Sequence, residues 1–218
     1  TGGVDGTAEL AGKRKPRTFG IAINVTPALI DPANLVYQVN DGGVHAVSQV
    51  LDGAYALVGP DADYATYAAL IAASVIDGHY VTCKALGLFR LGATPFKLIT
   101  ASVEAEDALV AGSAVDTATI ARALLRSTSI SLVDEGSFAA LSAAQGAIIS
   151  YYLGLDEAKT VRQALDELMA GIGGWYGFRL DGAFEVGRLV APGGSAFASV
   201  TAVDIVAGSL KRLALPEG

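Results

Sequence analysis

Two histidines, one cysteine and two short acidic clusters are the residues of this chain whose types could do chemistry. His45 and His79 each stand in or beside a run of β-forming residues. Neither has a neighbouring carboxylate or cysteine at the spacing a metal site uses, so both read as structural. Cys83 lies in an apolar strand pattern and reads as a small buried hydrophobe rather than a nucleophile. Paired carboxylates can act as acid and base on a glycosidic bond, and Glu104, Glu106 and Asp107 form one acidic cluster. That cluster falls where the composition changes, and neighbours in sequence need not converge in space. Asp166 and Glu167 sit on the polar face of a helical pattern, so both clusters read as solvated surface. Gly171 to Gly174 (GIGG) follows a helix, whereas phosphate loops precede one; it reads as a helix stop. Trp175, Tyr176 and Phe178 could line a sugar site, but alternation sends Trp175 to one face and the other two to the opposite face. A strand packed on both sides accounts for all three. Gly12 to Arg17 (GKRKPR) is a basic arm whose charge is a small footprint for nucleic acid. No catalytic, cofactor-binding or metal-ligating residue is assigned.

The elements that must carry these residues fall into two styles. Phe19 to Leu57 is a chain of short β-runs. Asn34 to Asn40 (NLVYQVN), the turn Asp41-Gly42-Gly43 and the return run Val44 to Leu51 read as a hairpin, with a second hairpin turn at Asp52-Gly53. Pro27 and Pro32 fall between runs, where a missing N–H does no harm. Asp63 to Ser74 reads as a helix capped by Asp63, with Tyr64, Tyr67, Leu70 and Ile71 on one face. Tyr80 to Leu91 and Phe96 to Val103 read as strands, with Gly87 and Gly92 at turns or bulges. After Glu104 helices enter. Asp116 can cap one through about Arg126, and Asp134 another with Phe138 and Leu141 inward. Ala147 to Leu153 reads as a strand. Thr160 and Gln163 have capping-box spacing, ahead of a stripe of Val161, Leu165, Leu168, Met169 and Ile172. Trp175 to Leu180, Asp181-Gly182 and Ala183 to Val190 form a hairpin, and β-pattern returns at Ser199 to Leu215. The expected fold class is α+β, with residues 18–109 and 198–218 sharing one β-rich core.

The formal charge of −7 argues against a tight grip on nucleic acid, which takes several cations, and the charge is spread over both halves. One cysteine rules out an internal disulfide. Mean hydropathy is high at +0.46, but no stretch approaches the roughly 20 apolar residues of a membrane span. Thr1 in place of Met, with no basic start and apolar middle, reads as a piece of a longer polypeptide.

Three stretches resemble the tail hub and tail-tip proteins of long-tailed bacteriophages and prophages. They are Asn24 to Gly43 (NVTPALIDPANLVYQVNDGG), Tyr80 to Gly92 (YVTCKALGLFRLG) and Val161 to Leu189 (VRQALDELMAGIGGWYGFRLDGAFEVGRL). Leu35 to Gly42 resembles the L-x-Y-Q-V-x-D-G ending of a hub-like region. The third stretch has the helix, Gly-Gly-aromatic and x-D-G-x hairpin in the order seen there. Together the likeness spans nearly all of the chain after Thr18. It implies a β-barrel-like domain with a smaller α/β domain inserted, three copies forming a ring that continues the tail tube and frames the DNA channel. On that plan residues 1–17 are an arm or linker, 18–109 plus 198–218 the barrel-like hub domain, and 110–197 the insert. Hub function is geometric, so the resemblance implies no enzyme activity, cofactor or metal. Its implied partners are further copies of itself and the neighbouring tail-tube and tail-tip proteins. DNA only passes through, there is no membrane span, and the place is the virion, after synthesis in the bacterial host cytoplasm. Two other readings stand beside it. One is a carbohydrate- or cell-surface-binding module resting on the aromatic hairpin 175–184. The other is a cell-wall hydrolase domain using the acidic clusters.

Overall fold

A computed structural model describes residues 2–105, 115–155 and 159–190, and it is α+β. The first sheet is antiparallel in the order β2 (Ile21–Val25), β9 (Ile99–Ala105), β5 (Val44–Asp52), β6 (Tyr55–Ala56). In β5 the buried valines are Val44, Val47 and Val50, a spacing of three where a regular strand alternates by two. Two register shifts against β9 explain it, one between Val44 and Ala46 and one between Val47 and Gln49. Each bulge inserts a residue and returns the next valine to the core face. His45 and Ser48 occupy the inserted positions.

The second sheet is also antiparallel, in the order β3 (Ala28–Asp31), β4 (Val36–Gln38), β8 (Leu88–Leu91), β7 (Tyr80–Cys83). β4, β7 and β8 are buried on both faces, which makes it a middle layer. Tyr37, Tyr80, Phe89 and Leu91 pack towards the first sheet. Val36, Val81, Cys83 and Leu88 pack towards Leu70 of α1 (Tyr67–Ala72). The inner face is built around Phe89, stacked on Tyr37 at 5.2 Å and edge-on to Tyr80 at 6.3 Å. On the outer face Arg90 donates to the carbonyls of Leu70, Ile71 and Ala73, closing the C-terminal end of α1.

Three sequence expectations fail here for long-range reasons. The hairpin of Asn34 to Leu51 does not form. β4 is paired on one edge by β3 and on the other by β8, so no edge remains for β5. Residues 40–43 instead cross from one sheet to the other. Asn40 fixes the crossing: its Oδ1 accepts from Thr18 N at 2.9 Å and its Nδ2 donates to Gly43 O at 2.8 Å. The helix of Asp63 to Ser74 shortens to α1, capped by Thr66, whose side chain accepts from Ala69 N. Residues 58–64 are taken up in a parallel strap along β7, bridging Val58 to His79 and Asp63 to Thr82. Asp63 accepts from Thr82 Oγ1 at 2.8 Å and Lys84 N at 2.9 Å, so its carboxylate is committed elsewhere. The strand expected at Phe96 to Val103 starts later, because the Asp52 carboxylate accepts from the Phe96 and Lys97 N–H groups and holds them in a loop. Gly87 does mark a turn, at φ +63°.

The second core gathers α2 (Thr117–Leu125), α3 (Glu135–Ala144), α4 (Val161–Ala170) and the hairpin β11 (Gly174–Phe178) and β12 (Phe184–Arg188). The local signals hold. Asp116 accepts from Thr119 N, Asp134 from Gly136 N and Ser137 N, and Thr160 with Gln163 makes a complete capping box. Leu165, Leu168 and Met169 are buried, with Val161 and Ile172 at the rim. Of the strand expected at Ala147 to Leu153, only β10 (Tyr151–Leu153) forms, antiparallel to β1 (Arg17–Phe19). That pairing carries Phe19 into the second core rather than the first. The chain turns between the two at Gly20, φ +72°, where a Cβ would stand 2.5 Å from Ile149 O. Neither four-stranded sheet closes on itself among the described residues. The segment expected to rejoin the first core, 198–218, lies outside them, as do Glu106 and Asp107.

Candidate functional site

The carboxylates of α4 do not converge on an empty space. Asp166 accepts from Tyr176 OH at 2.6 Å, and Glu167 accepts from Tyr151 OH at 2.8 Å and Lys159 Nζ at 3.0 Å. They tie the helix to the hairpin and to β10. The bonds from Lys159 and Tyr151 hold the Glu167 carboxyl below its usual range. Burial, helped by the bond to Asp166, pushes the Tyr176 phenol up. Glu104 lies half-buried on β9, level with Ile21 and Ala46.

His79 is paired with a carboxylate that the sequence did not place near it: Nδ1 lies 2.9 Å from Asp61 Oδ2, across the strap. His45 is exposed on its bulge. Cys83 is fully buried, and burial pushes its thiol up. Among the described residues no three His, Cys, Asp or Glu side chains are grouped to hold a metal. Among the described residues the most densely bonded carboxylate is Asp31, only 3% exposed, which accepts from Tyr67 OH and Asn34 Nδ2, both at 2.6 Å, and from the Ala33 and Asn34 N–H groups. Burial alone would raise its carboxyl; the hydrogen bonds outweigh burial and hold it low. The Tyr67 phenol is correspondingly pushed up, by burial first and then by Asp31.

Three surface features remain. A cavity of about 210 Å³ opens between the basic arm and the second core, with Arg14, Lys15, Arg17 and Lys159 around it. Its apolar lining is Leu124, Leu153, Val161 and Ala164. A second cavity of about 370 Å³ shares Arg17, Asp41 and Ser127 with the first and adds Arg126. The sequence showed the arm but not its partners, since Arg126 and Lys159 arrive through tertiary packing alone. The second feature is apolar. Phe96 is 93% and Tyr55 80% exposed, both on the lining of a cavity of about 360 Å³ that His79 and Leu91 also reach. At the opposite edge of the same sheet, Ile21 and Ile23 of β2 are exposed. The third feature is the hairpin. Tyr176 stacks on Phe184 at 5.7 Å, and Phe178 meets the same ring edge-on at 5.2 Å. Trp175 lies over Gly187 on the other side and is 43% exposed. The strand is therefore packed on one side, not on both as its alternation suggested.

Among the described residues no helix is long and apolar enough to cross a membrane. Comparison of the chain with protein-family models, with curated proteins and with solved structures finds no match.

Proposed function

We infer that this chain is a structural, non-enzymatic subunit of a phage or prophage tail tip or baseplate hub, one copy in a ring that continues the tail tube and frames the DNA channel. The sequence likeness motivates the reading. Its three stretches fall on whole structural units: β3 with β4 and the crossing, β7 with β8, and α4 with its hairpin. The observation that carries it is the first sheet. Ile21 and Ile23 are exposed on one edge strand, and Tyr55 on the other with Phe96 beside it. A sheet with exposed apolar side chains at both lateral edges suits side-by-side, head-to-tail association, which makes a ring when the rotation closes. A trimer is the expected closure. The two sheets would then belong to the barrel-like domain of 18–109 and 198–218, and the second core to the insert of 110–197. The net charge of −7 also suits a wall along which DNA phosphates slide.

Electron microscopy of parent virions, with this chain labelled by a bound antibody fragment, tests the reading. Density on the tube axis at the tail tip is expected; density in a peripheral fibre or side spike refutes it. The exposed Trp175 favours a second reading, a carbohydrate- or cell-surface-binding module. Glycan-array binding lost in Trp175→Ala would put that reading first.

A further inference from the structure

We propose that the paired cavities between the basic arm and the second core form a binding site for a small dianionic oxyanion, a phosphate or sulfate ester carried on a short apolar body. This goes beyond the hub reading and does not rest on it.

The arginines make the case. Arg122, Arg162 and Arg179 pair with carboxylates, and Arg90 and Arg188 donate to carbonyl oxygens. Five of the eight arginines among the described residues have no carboxylate partner, and three of these five, Arg14, Arg17 and Arg126, line these two cavities, which share Arg17, Asp41 and Ser127. In a chain of net charge −7, where acidic partners outnumber cations, three unneutralised guanidiniums at one place need an explanation. Arg17 lies 4.9 Å over the Phe19 ring, and Arg14 makes one long bond, 3.4 Å, to Lys159 O. Both forks retain donors for a ligand.

The remaining walls narrow the class of ligand. Lys15 and Lys159 add charge, although each also meets a carboxylate, Asp5 and Glu167. Among the described residues Asp41 is the acidic one on both linings, where the basic side chains outnumber it. The ten-residue helix α4 starts at the wall, and its dipole also favours an anion. A monocarboxylate would leave most of this charge unanswered, whereas a dianion with three acceptor oxygens matches several forked donors at once. Leu124, Leu153 and Val161 on the lining call for an apolar group beside the charge.

Calorimetric titration of the chain with phenyl phosphate, inorganic phosphate and phenol at low salt tests the site. Saturable binding of phenyl phosphate is expected, tighter than inorganic phosphate, with none for phenol. Arg17→Ala and Arg14→Gln should each weaken it about tenfold, the loss of one charge-assisted pair. Asp41→Asn should tighten it, and Lys97→Ala, which is outside both linings, should leave it unchanged. Far-ultraviolet circular dichroism checks that each variant folds, and a misfolded Arg17→Ala is replaced by Arg126→Gln, read the same way. No saturable binding by about 10 mM overturns the proposal, since that limit lies beyond useful affinity. So does binding indifferent to all the arginine variants. A short DNA duplex competing better than phenyl phosphate also overturns it, by assigning the cations to a polymer.

Discussion

Replacing Tyr67 by Phe removes one hydroxyl and keeps the ring. That hydroxyl donates at 2.6 Å to Asp31, a carboxylate only 3% exposed. Hydrogen bonds to charged groups contribute about 1.5–3 kcal/mol, and the full desolvation penalty appears only when the acceptor is left bare. Asp31 is not left bare, because Asn34 Nδ2 and two backbone N–H groups still donate to it. The loss should therefore sit at the lower end, about 1.5–2 kcal/mol at pH 7. For a chain of this size that lowers the thermal midpoint by about 2–4 °C per kcal/mol. The pH dependence gives a second reading. The folded-state value of the Asp31 carboxyl is depressed below its usual 3.8. Its stabilisation is fully present above that value and is lost as the pH falls through the folded-state value. The Phe variant lets the carboxyl drift back up, so the gap between wild type and variant should narrow as the pH is lowered from 7 through the folded-state value. Urea unfolding followed by circular dichroism across that range measures both effects. Equal stability at pH 7, or a gap that persists undiminished in acid, would refute the account.

Four further substitutions probe the frame. Phe89→Ala empties the centre of the first core, where the ring is fully buried, and should cost about 3–5 kcal/mol in urea unfolding. Gly20→Ala places a Cβ 2.5 Å from Ile149 O at a positive φ, and should cost at least about 1–3 kcal/mol. Leu91→Met, a volume-conserving change in the same core, should cost less than about 1.5 kcal/mol. Thr160→Ala breaks the capping box and should cost about 1 kcal/mol, with faster hydrogen exchange confined to the first turn of α4.

What could be read from the sequence was what local chemistry decides. Asp116, Asp134 and Thr160 with Gln163 cap their helices because each partner lies within three residues. The Asp181-Gly182 hairpin forms because, among the described residues, no other strand takes the edge that β11 and β12 share; Val133 bridges to Phe184 on the far edge of β12. Asp63 carries the same local signal as Asp116, yet Thr82 and Lys84 claim its carboxylate from about twenty positions away. Asp41-Gly42-Gly43 is as good a turn as Asp181-Gly182, but β8 had already taken the edge it needed. The bulges in β5 leave no mark in composition. Of the basic cavity, Arg14, Lys15 and Arg17 were visible as an arm, while Arg126 and Lys159 were isolated cations with nothing to single them out.

The shared strand β1 has a mechanical consequence. Its backbone is laddered to β10 in the second core, while Thr18 donates from both N and Oγ1 to Asn40 and Val39 of the first. Asp41 N donates to Pro16 O on the same seam. Neither core can melt without tearing a strand out of the other, so the two should unfold in a single calorimetric transition. A pull on the amino terminus that strips Gly2 and Leu10 from the outer cluster next loads this seam. The short stretch from Pro16 to Phe19 is thus a rivet, and its rupture force would set the mechanical limit of the whole unit.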